Sequence, residues 1–258
     1  MTSSLFDIRG KTALITGGSR GIGRMIAHAY VEAGARVYLV ARNPETCEQT
    51  AAELARLGEC HALPAELSRM GEIERLAEAF AARESALHVL INNAGTAWGN
   101  TIEDFPEKGW DKVMDLNLKA PFFLLQKLLP LLEKAGSVED PARVINLGSV
   151  DGLHMPLFDN FSYGASKAGI HHLTRMLAAH LAGRHINVNA IAPGYFDTDM
   201  TEPMLGIMGL DKLMSIVPAK RLGQADDISG VGVFLAARAS AYITGVTLPV
   251  DGGLIGAS

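Results

Sequence analysis

Short, mostly apolar runs rich in valine, isoleucine and leucine alternate along the whole chain with longer stretches whose apolar residues recur every three or four positions. The short runs, at 12–16, 36–41, 61–64, 89–92, 143–148, 187–191 and 247–250, predict strands. The longer stretches, at 25–33, 46–57, 72–83, 110–134, 162–183 and 226–236, predict helices. Such alternation predicts an α/β fold: a doubly wound, seven-stranded parallel sheet with helices on both faces. No repeat or linker breaks the rhythm, so residues 1–258 read as a single domain. One interval departs from it, from Pro193 to Asp226, and it is rich in Met200, Met204, Leu205, Ile207, Met208 and Met214. An interval that long in a compact domain is as a rule functional or mobile. Residues 194–225 are therefore expected to form a substrate loop over an apolar ligand, with a small helical excursion packed on the surface as the alternative.

Composition narrows the class. The length of 258 residues and the 48% hydrophobic content suit one α/β domain with a large core. A net charge of −5 argues against a nucleic-acid or anionic-membrane surface. Cys47 and Cys60 lack metal-ligand or redox spacing and read as ordinary thiols of a reducing compartment. No His, Cys and carboxylate cluster has metal-site spacing, so no metal is expected. Residues 1–10 hold no apolar run of signal-peptide length. No stretch approaches the ~18 uncharged apolar residues of a membrane span, and even 120–132 is broken by Lys127. A soluble, cytoplasmic protein is expected.

Directly after the first strand run comes Thr16-Gly17-Gly18-Ser19-Arg20-Gly21-Ile22-Gly23, and a helix follows. Glycines at that junction let the backbone turn tightly and approach a pyrophosphate, whose charge the helix N-terminus favours. The expectation is a Rossmann fold that binds a dinucleotide. An NAD site would offer an Asp or Glu to the ribose 2′-hydroxyl at the end of the second strand. The chain reads Val40-Ala41-Arg42-Asn43 there. Arg42 and Arg20 could grip a 2′-phosphate through charge-assisted bonds, which favours NADP(H) over NAD(H).

Tyr163 and Lys167 stand four residues apart in a helical stretch, so they share one face; Ser149 precedes Tyr163 by 14 residues. An ammonium beside a phenol favours phenolate and lowers a pKa otherwise near ~10, so that the phenol can exchange a proton near neutral pH. Alone, the pair is equally an exposed helix couple of small energetic value. Its chemical use depends on a hydride donor nearby, and the glycine loop offers a place for one.

In order along the chain, the loop 17–23, Asn92-Asn93-Ala94-Gly95, Asn117, Ser149, Tyr163-x-x-x-Lys167, Pro193-Gly194 and Asp251-Gly252-Gly253 resemble the marks of the short-chain dehydrogenase/reductase family. The resemblance covers essentially the whole chain. It implies an NADPH-dependent ketone reductase in which Tyr163 is the general acid and Ser149 holds the carbonyl oxygen. Lys167 would lower the Tyr163 pKa and hold the nicotinamide ribose, and Asn117 would position a water in a proton relay. Cofactor contacts are implied for Gly17, Ser19, Arg20, Gly21, Ile22, Gly23 and Arg42, for Asn93, Ala94 and Gly95, and for Pro193, Gly194, Phe196 and Thr198. Where the family usually has an aspartate for the adenine amino group, this chain has Glu66-Leu67, and the longer carboxylate is expected to reach. A homotetramer is implied as well, built from the fourth and fifth helices and the C-terminal strand. The apolar residues of 116–132 would then form an exposed stripe, or else face the sheet.

Within the family the likeness is greatest to the 3-oxoacyl thioester reductases, the rhamnolipid-synthesis branch especially. An acyl carrier protein would want basic residues near the entrance, yet Leu177-Ala178-Ala179-His180 has no arginine, and Glu139 and Asp140 add acids to 134–143. Ser149, Asp151, Met155 and Tyr195 are expected to touch substrate; Trp98, Leu157 and Phe158 line an apolar pocket or pack in the core. Asp151 and His154 either recognise a polar substrate group or are solvated, and His171 and His172 read as surface or packing residues. Two other functions fit the chain: a secondary-alcohol dehydrogenase for a sugar, polyol or steroid, and a dinucleotide-binding sensor without turnover.

Overall fold

The computed structural model describes residues 2–257, apart from the side chains of Thr2, Ser3, Pro203, Met204 and Ala257. Met204, one of the apolar loop residues named from sequence, thus has its side chain outside the described residues. A short helix α1 (Thr2–Leu5) precedes β1 (Thr12–Thr16), α2 (Gly21–Glu32), β2 (Arg36–Val40), α3 (Pro44–Leu54), β3 (Cys60–Ala62), α4 (Met70–Ala81) and β4 (Val89–Asn92). There follow α5 (Glu107–Met114), α6 (Ala120–Ala135), β5 (Ala142–Leu147), α7 (Phe161–Leu181) and β6 (Ile186–Pro193). The chain ends with α8 (Glu202–Met208), α9 (Leu210–Ile216), α10 (Ala225–Ala236) and β7 (Thr247–Val250).

All seven strands are parallel, in the order β3-β2-β1-β4-β5-β6-β7. The chain starts mid-sheet, winds out to β3, returns to β4 beside β1 and winds out again to β7. That reversal opens a crevice at the carboxyl ends of β1 and β4. Alternation along each strand feeds two cores: Ile15, Val37 and Leu39 pack under α2 and α10, while Leu14, Tyr38 and Val40 pack under α4 and α6. Both faces are covered, so the strands must be apolar at nearly every position. Each fully buried leucine or isoleucine contributes roughly 1.5–3 kcal/mol to holding the helices down.

Two expectations change. The stretch 110–134 is not one helix: a π turn, Asp115–Lys119, separates α5 from α6. Pro121, at the start of α6, has no N–H to return to the Asn117 carbonyl, and the wider turn carries Asn117 inward. The interval 194–225 is likewise no open loop. It folds into α8 and α9, which form a third apolar cluster around Val150, Tyr195, Leu213, Val217 and Leu254. On α6, Leu124, Leu125, Leu128 and Leu132 face the sheet, and Phe122 is left at the surface. Among the described residues no helix is long and apolar enough to cross a membrane.

Candidate active site

Gly17, at φ +64°, turns the chain out of β1, and the N–H groups of Gly17 and Gly18 donate to the Val40 carbonyl at 2.7 and 3.3 Å. A Cβ on Gly17 would lie 2.7 Å from the Asn93 amide nitrogen. Asn93 pins the loop by donating to the carbonyls of Thr16 and Gly17 at 2.9 and 3.1 Å. The Thr16 hydroxyl in turn accepts the N–H groups of Asn93 and Ala94 at 2.9 and 3.0 Å. Thr50 Oγ1 donates to the Ser19 carbonyl at 3.2 Å. Gly21 takes φ +51° facing Thr198, and Gly23, in the first turn of α2, lies directly against the Gly17 carbonyl. Arg20, the N-cap residue of α2, makes no side-chain capping bond, so the first N–H groups of α2 remain for an anion.

Two guanidinium groups flank this cradle. Arg20 Nη1 lies 3.4 Å from Asp199, and Arg42 Nε lies 3.7 Å from Glu66. Exposed pairs of this kind are worth little in water, so a phosphate dianion can displace them. Glu66 also accepts from the Ser68 hydroxyl at 3.0 Å, which turns its carboxylate along its own loop; Leu67 beside it is buried. Glycines whose positions admit no Cβ, an uncapped helix start and two arginines in place of a carboxylate fit the NADP(H) expected from sequence.

The reacting groups meet where β5 ends. Ser149 caps the 3-10 turn Val150–Gly152, its hydroxyl accepting the Asp151 N–H at 3.1 Å. Tyr163 and Lys167 occupy the first two turns of α7, both buried. Lys167 Nζ donates to the Leu147 carbonyl at 2.7 Å and stands 5.4 Å from the centre of the Tyr163 ring. The Tyr163 hydroxyl lies 4.0 Å from the Met200 sulfur, and the Ser149 hydroxyl favours its ionised form. Burial pushes the phenol up to about 12, opposed by Ser149, and pushes Lys167 down to about 8. The Tyr163 pKa is thus raised, not lowered as the pair alone suggests, because taking a phenolate out of water costs more than its neighbours return.

Asn117 reaches the same place from the π turn. Its Oδ1 accepts the Thr96 N–H at 2.9 Å, and its Nδ2 donates to the Thr96 carbonyl at 2.9 Å and to Ser166 Oγ at 3.0 Å. The side chain is therefore spent on structure. Its main-chain carbonyl, which Pro121 cannot reach with an N–H, is the group with capacity for a water. A Cβ on Gly95 would lie 3.4 Å from Asn117 Oδ1 and 3.7 Å from Lys167 Nζ, so a bare backbone separates the two.

On the far side, a Cβ on Gly194 would lie 2.8 Å from Asp251 Cα, and the Asp251 carboxylate accepts the N–H groups of Gly253 and Ile255 at 2.9 and 2.8 Å. The closing Asp251-Gly252-Gly253 thereby braces the Pro193-Gly194 turn. Phe196 is buried against Gly223, and Tyr195 is buried with its hydroxyl unpartnered. Met155 stands 86% exposed, and Trp98 lies over Gly109 with Lys112 Nζ 5.4 Å from its ring centre. One residue has more to do than the sequence suggests. His171 is buried under Ser149, its Nε2 accepting the Ser149 N–H at 3.4 Å, and a Cβ on Gly148 would collide with its ring. Burial, then Lys167, pushes its pKa down to about 4, so the ring is neutral. Its spacing of four from Lys167 puts it on the helix face of Tyr163 and Lys167, but the contact with Gly148 that gives it weight is not written in that spacing.

The family model described as enoyl-(acyl carrier protein) reductase matches residues 17–255. The rhamnolipids biosynthesis 3-oxoacyl-[acyl-carrier-protein] reductase of Pseudomonas aeruginosa is 47% identical over 249 residues, 96% of this chain and 97% of that protein. The 2-dehydro-3-deoxy-D-gluconate 5-dehydrogenase of Dickeya dadantii is 36% identical over 259 residues, 98% of each. In the solved RhlG/NADP active-site complex of Pseudomonas aeruginosa, a chain 46% identical superposes with a TM-score of 0.94, covering 98% of this chain and 99% of that one. Matched along nearly its whole length by relatives of one fold and one sequence pattern, the chain belongs to the short-chain dehydrogenase/reductase family of oxidoreductases.

Proposed function

We propose that this chain is an NADPH-dependent reductase that delivers hydride to a ketone, with Tyr163 as general acid. The observation that carries this reading is the buried array Ser149–Tyr163–Lys167, in which Lys167 Nζ donates to the Leu147 carbonyl and stands 5.4 Å from the centre of the Tyr163 ring. Two hydroxyls, from Ser149 and Tyr163, converge where a carbonyl oxygen would gather negative charge. Burial keeps the phenol neutral, hence able to give its proton as that charge develops. Lys167 and the Asn117 carbonyl stand behind it as the route by which the proton is replaced.

When bound, NADPH supplies the hydride. The loop residues Gly17, Ser19, Gly21, Ile22 and Gly23 would hold its pyrophosphate, and Arg20 and Arg42 its 2′-phosphate. Asn93, Ala94 and Gly95 would take the adenosine ribose, with Glu66 and Leu67 near the adenine. Lys167 would hold the nicotinamide ribose; Pro193, Gly194, Phe196 and Thr198 would hold the carboxamide. The NADP complex of the 46% identical Pseudomonas aeruginosa chain supports this choice of cofactor.

For substrate, the 47% identical Pseudomonas aeruginosa reductase supports a 3-oxoacyl thioester or a similar ketone. The exposed turn at residues 179–180 carries no arginine for an acidic carrier protein, so a free thioester suits this surface better. A second reading, oxidation or reduction at a hydroxylated carbon chain, is favoured by one observation: Asp151, a carboxylate residue, has its N–H on the Ser149 hydroxyl at 3.1 Å. The chain is proposed to work as one domain, in the cytoplasm, as a homotetramer.

The test is NADPH oxidation, followed by absorbance, across 3-oxoacyl thioesters, hydroxy ketones and sugars, with NADH in parallel. Turnover with NADPH is expected to exceed that with NADH, and Tyr163→Phe to lower kcat by about 10²–10⁴-fold. A well-folded protein inert across the panel would overturn the reading in favour of a sensor.

A further inference from the structure

The segment that follows Ser149 brings a carboxylate next to the reacting groups. Asp151 stands two residues after Ser149, its N–H on the Ser149 hydroxyl at 3.1 Å, and Oδ2 accepts from Asn160 Nδ2 at 3.2 Å. Val150, the residue before it, packs in one apolar cluster with Tyr195, which brings the segment after Ser149 and the segment after Gly194 together. Three buried polar atoms with no partner in the protein occur on the same segments: His154 Nε2, Asn160 Oδ1 and the hydroxyl oxygen of Tyr195, a residue only 8% exposed. Protein interiors rarely leave such atoms unpaired, and three on the two segments that follow Ser149 and Gly194 point to a ligand that pairs them.

The chemistry of the set selects the ligand. An ionised carboxylate only accepts hydrogen bonds, so the group it recognises must donate. A substrate carboxylate would be repelled, and an alkyl chain would strip water from Asp151 without replacing it. A hydroxyl satisfies both demands, since it can donate to Asp151 and accept from Tyr195. Burial already raises the Asp151 pKa against the pull of Asn160, and a further donor on the carboxylate would relieve that.

Resting on the ketone-reductase reading above, we propose that Asp151, Asn160, His154 and Tyr195 form a subsite for a substrate hydroxyl, so that this protein selects hydroxy ketones over the same ketones lacking the hydroxyl.

The experiment compares kcat/KM of the full-length protein, with NADPH, for 3-hydroxy-2-butanone, 2-butanone and a 3-oxobutanoyl thioester. The wild-type protein is expected to favour the hydroxy ketone over 2-butanone by at least about tenfold, the scale of one hydrogen bond to a charged group. Asp151→Leu and Tyr195→Phe should each bring that ratio close to one, whereas Asp151→Asn, still an acceptor, should keep part of it. A wild-type ratio near one, or a ratio that survives Asp151→Leu, overturns the subsite while leaving ketone reduction standing. No turnover of any ketone overturns both. Should Asp151→Leu not fold, Tyr195→Phe, which deletes one buried oxygen, decides alone.

Discussion

Burial sets the protonation of the reacting groups more than charge does, and this has a measurable consequence at Lys167. With its phenol pushed up to about 12, Tyr163 stays neutral across the working range, while Lys167, pushed down to about 8, changes charge within it. The groups facing Lys167 are Tyr163, Asp151, whose charge favours the ammonium, and His171, which is neutral. An ammonium is what a proton relay needs there, so its contribution is present below about pH 8 and lost above it. The kcat for ketone reduction should therefore fall about tenfold per pH unit above that point, with apparent values belonging to the Tyr163–Lys167 pair. Lys167→Arg, charged throughout, should be slow and should lack this limb. Stability moves the other way. Between about 8 and the ordinary 10.5, the unfolded chain holds a proton that the folded one has released, so this group's contribution to stability rises with pH. A pH–rate profile and a denaturation series that fall together above pH 8 would contradict the assignment.

At the scale of elements, α8 and α9 are tied to the site and not to the two sheet cores. Leu213, fully buried, and Val217 pack on Val150 and Tyr195, the residues that follow Ser149 and Gly194. Leu213→Ala should cost about 2–5 kcal/mol, and because its cluster is separate the loss should appear locally. Limited proteolysis should cut residues 194–225 faster and KM for the ketone should rise, while the thermal midpoint moves only a few degrees; an unchanged cleavage rate would refute the separation. The same distinction explains what the sequence could disclose. Leu14 and Ile15 face opposite cores, so both had to be apolar and the strand was legible. Gly17 and Gly23 were legible because no side chain fits at either place. The π turn was not, since helical periodicity runs through 115–119 and only Pro121 marks it. The 86% exposure of Met155 was not legible either, because apolarity does not say which way an irregular segment points. The weight of His171 rests on its contact with Gly148, 23 residues away, which no local pattern reports.

At the scale of the whole molecule, the surface leaves apolar area that one chain does not cover. Ile102, Trp110 and Phe161 line a groove of about 390 Å³ between α5 and the start of α7, and Trp110 and Phe161 remain 41% and 40% exposed. At the other end of the sheet, β7 pairs only with β6 among the described residues, and Tyr242 and Val246 on its approach are exposed. An unpaired edge strand and an aromatic groove are features that association with further copies would cover. The α6 leucines face the sheet, so these two surfaces are the ones proposed for the contact. Two distinct self-complementary faces generate a tetramer with dihedral symmetry. Light scattering should therefore return about four times the 27.5 kDa chain mass. Trp110→Glu should weaken one face by about 2 kcal/mol or more, roughly thirtyfold in association, and halve the assembly at micromolar concentration. Because Phe161 precedes Tyr163 by two residues, that dissociation should also loosen the first turn of α7 and lower kcat. A wild-type monomer, or full activity in a dissociated Trp110→Glu protein, would show that the groove and the edge have no part in assembly or catalysis.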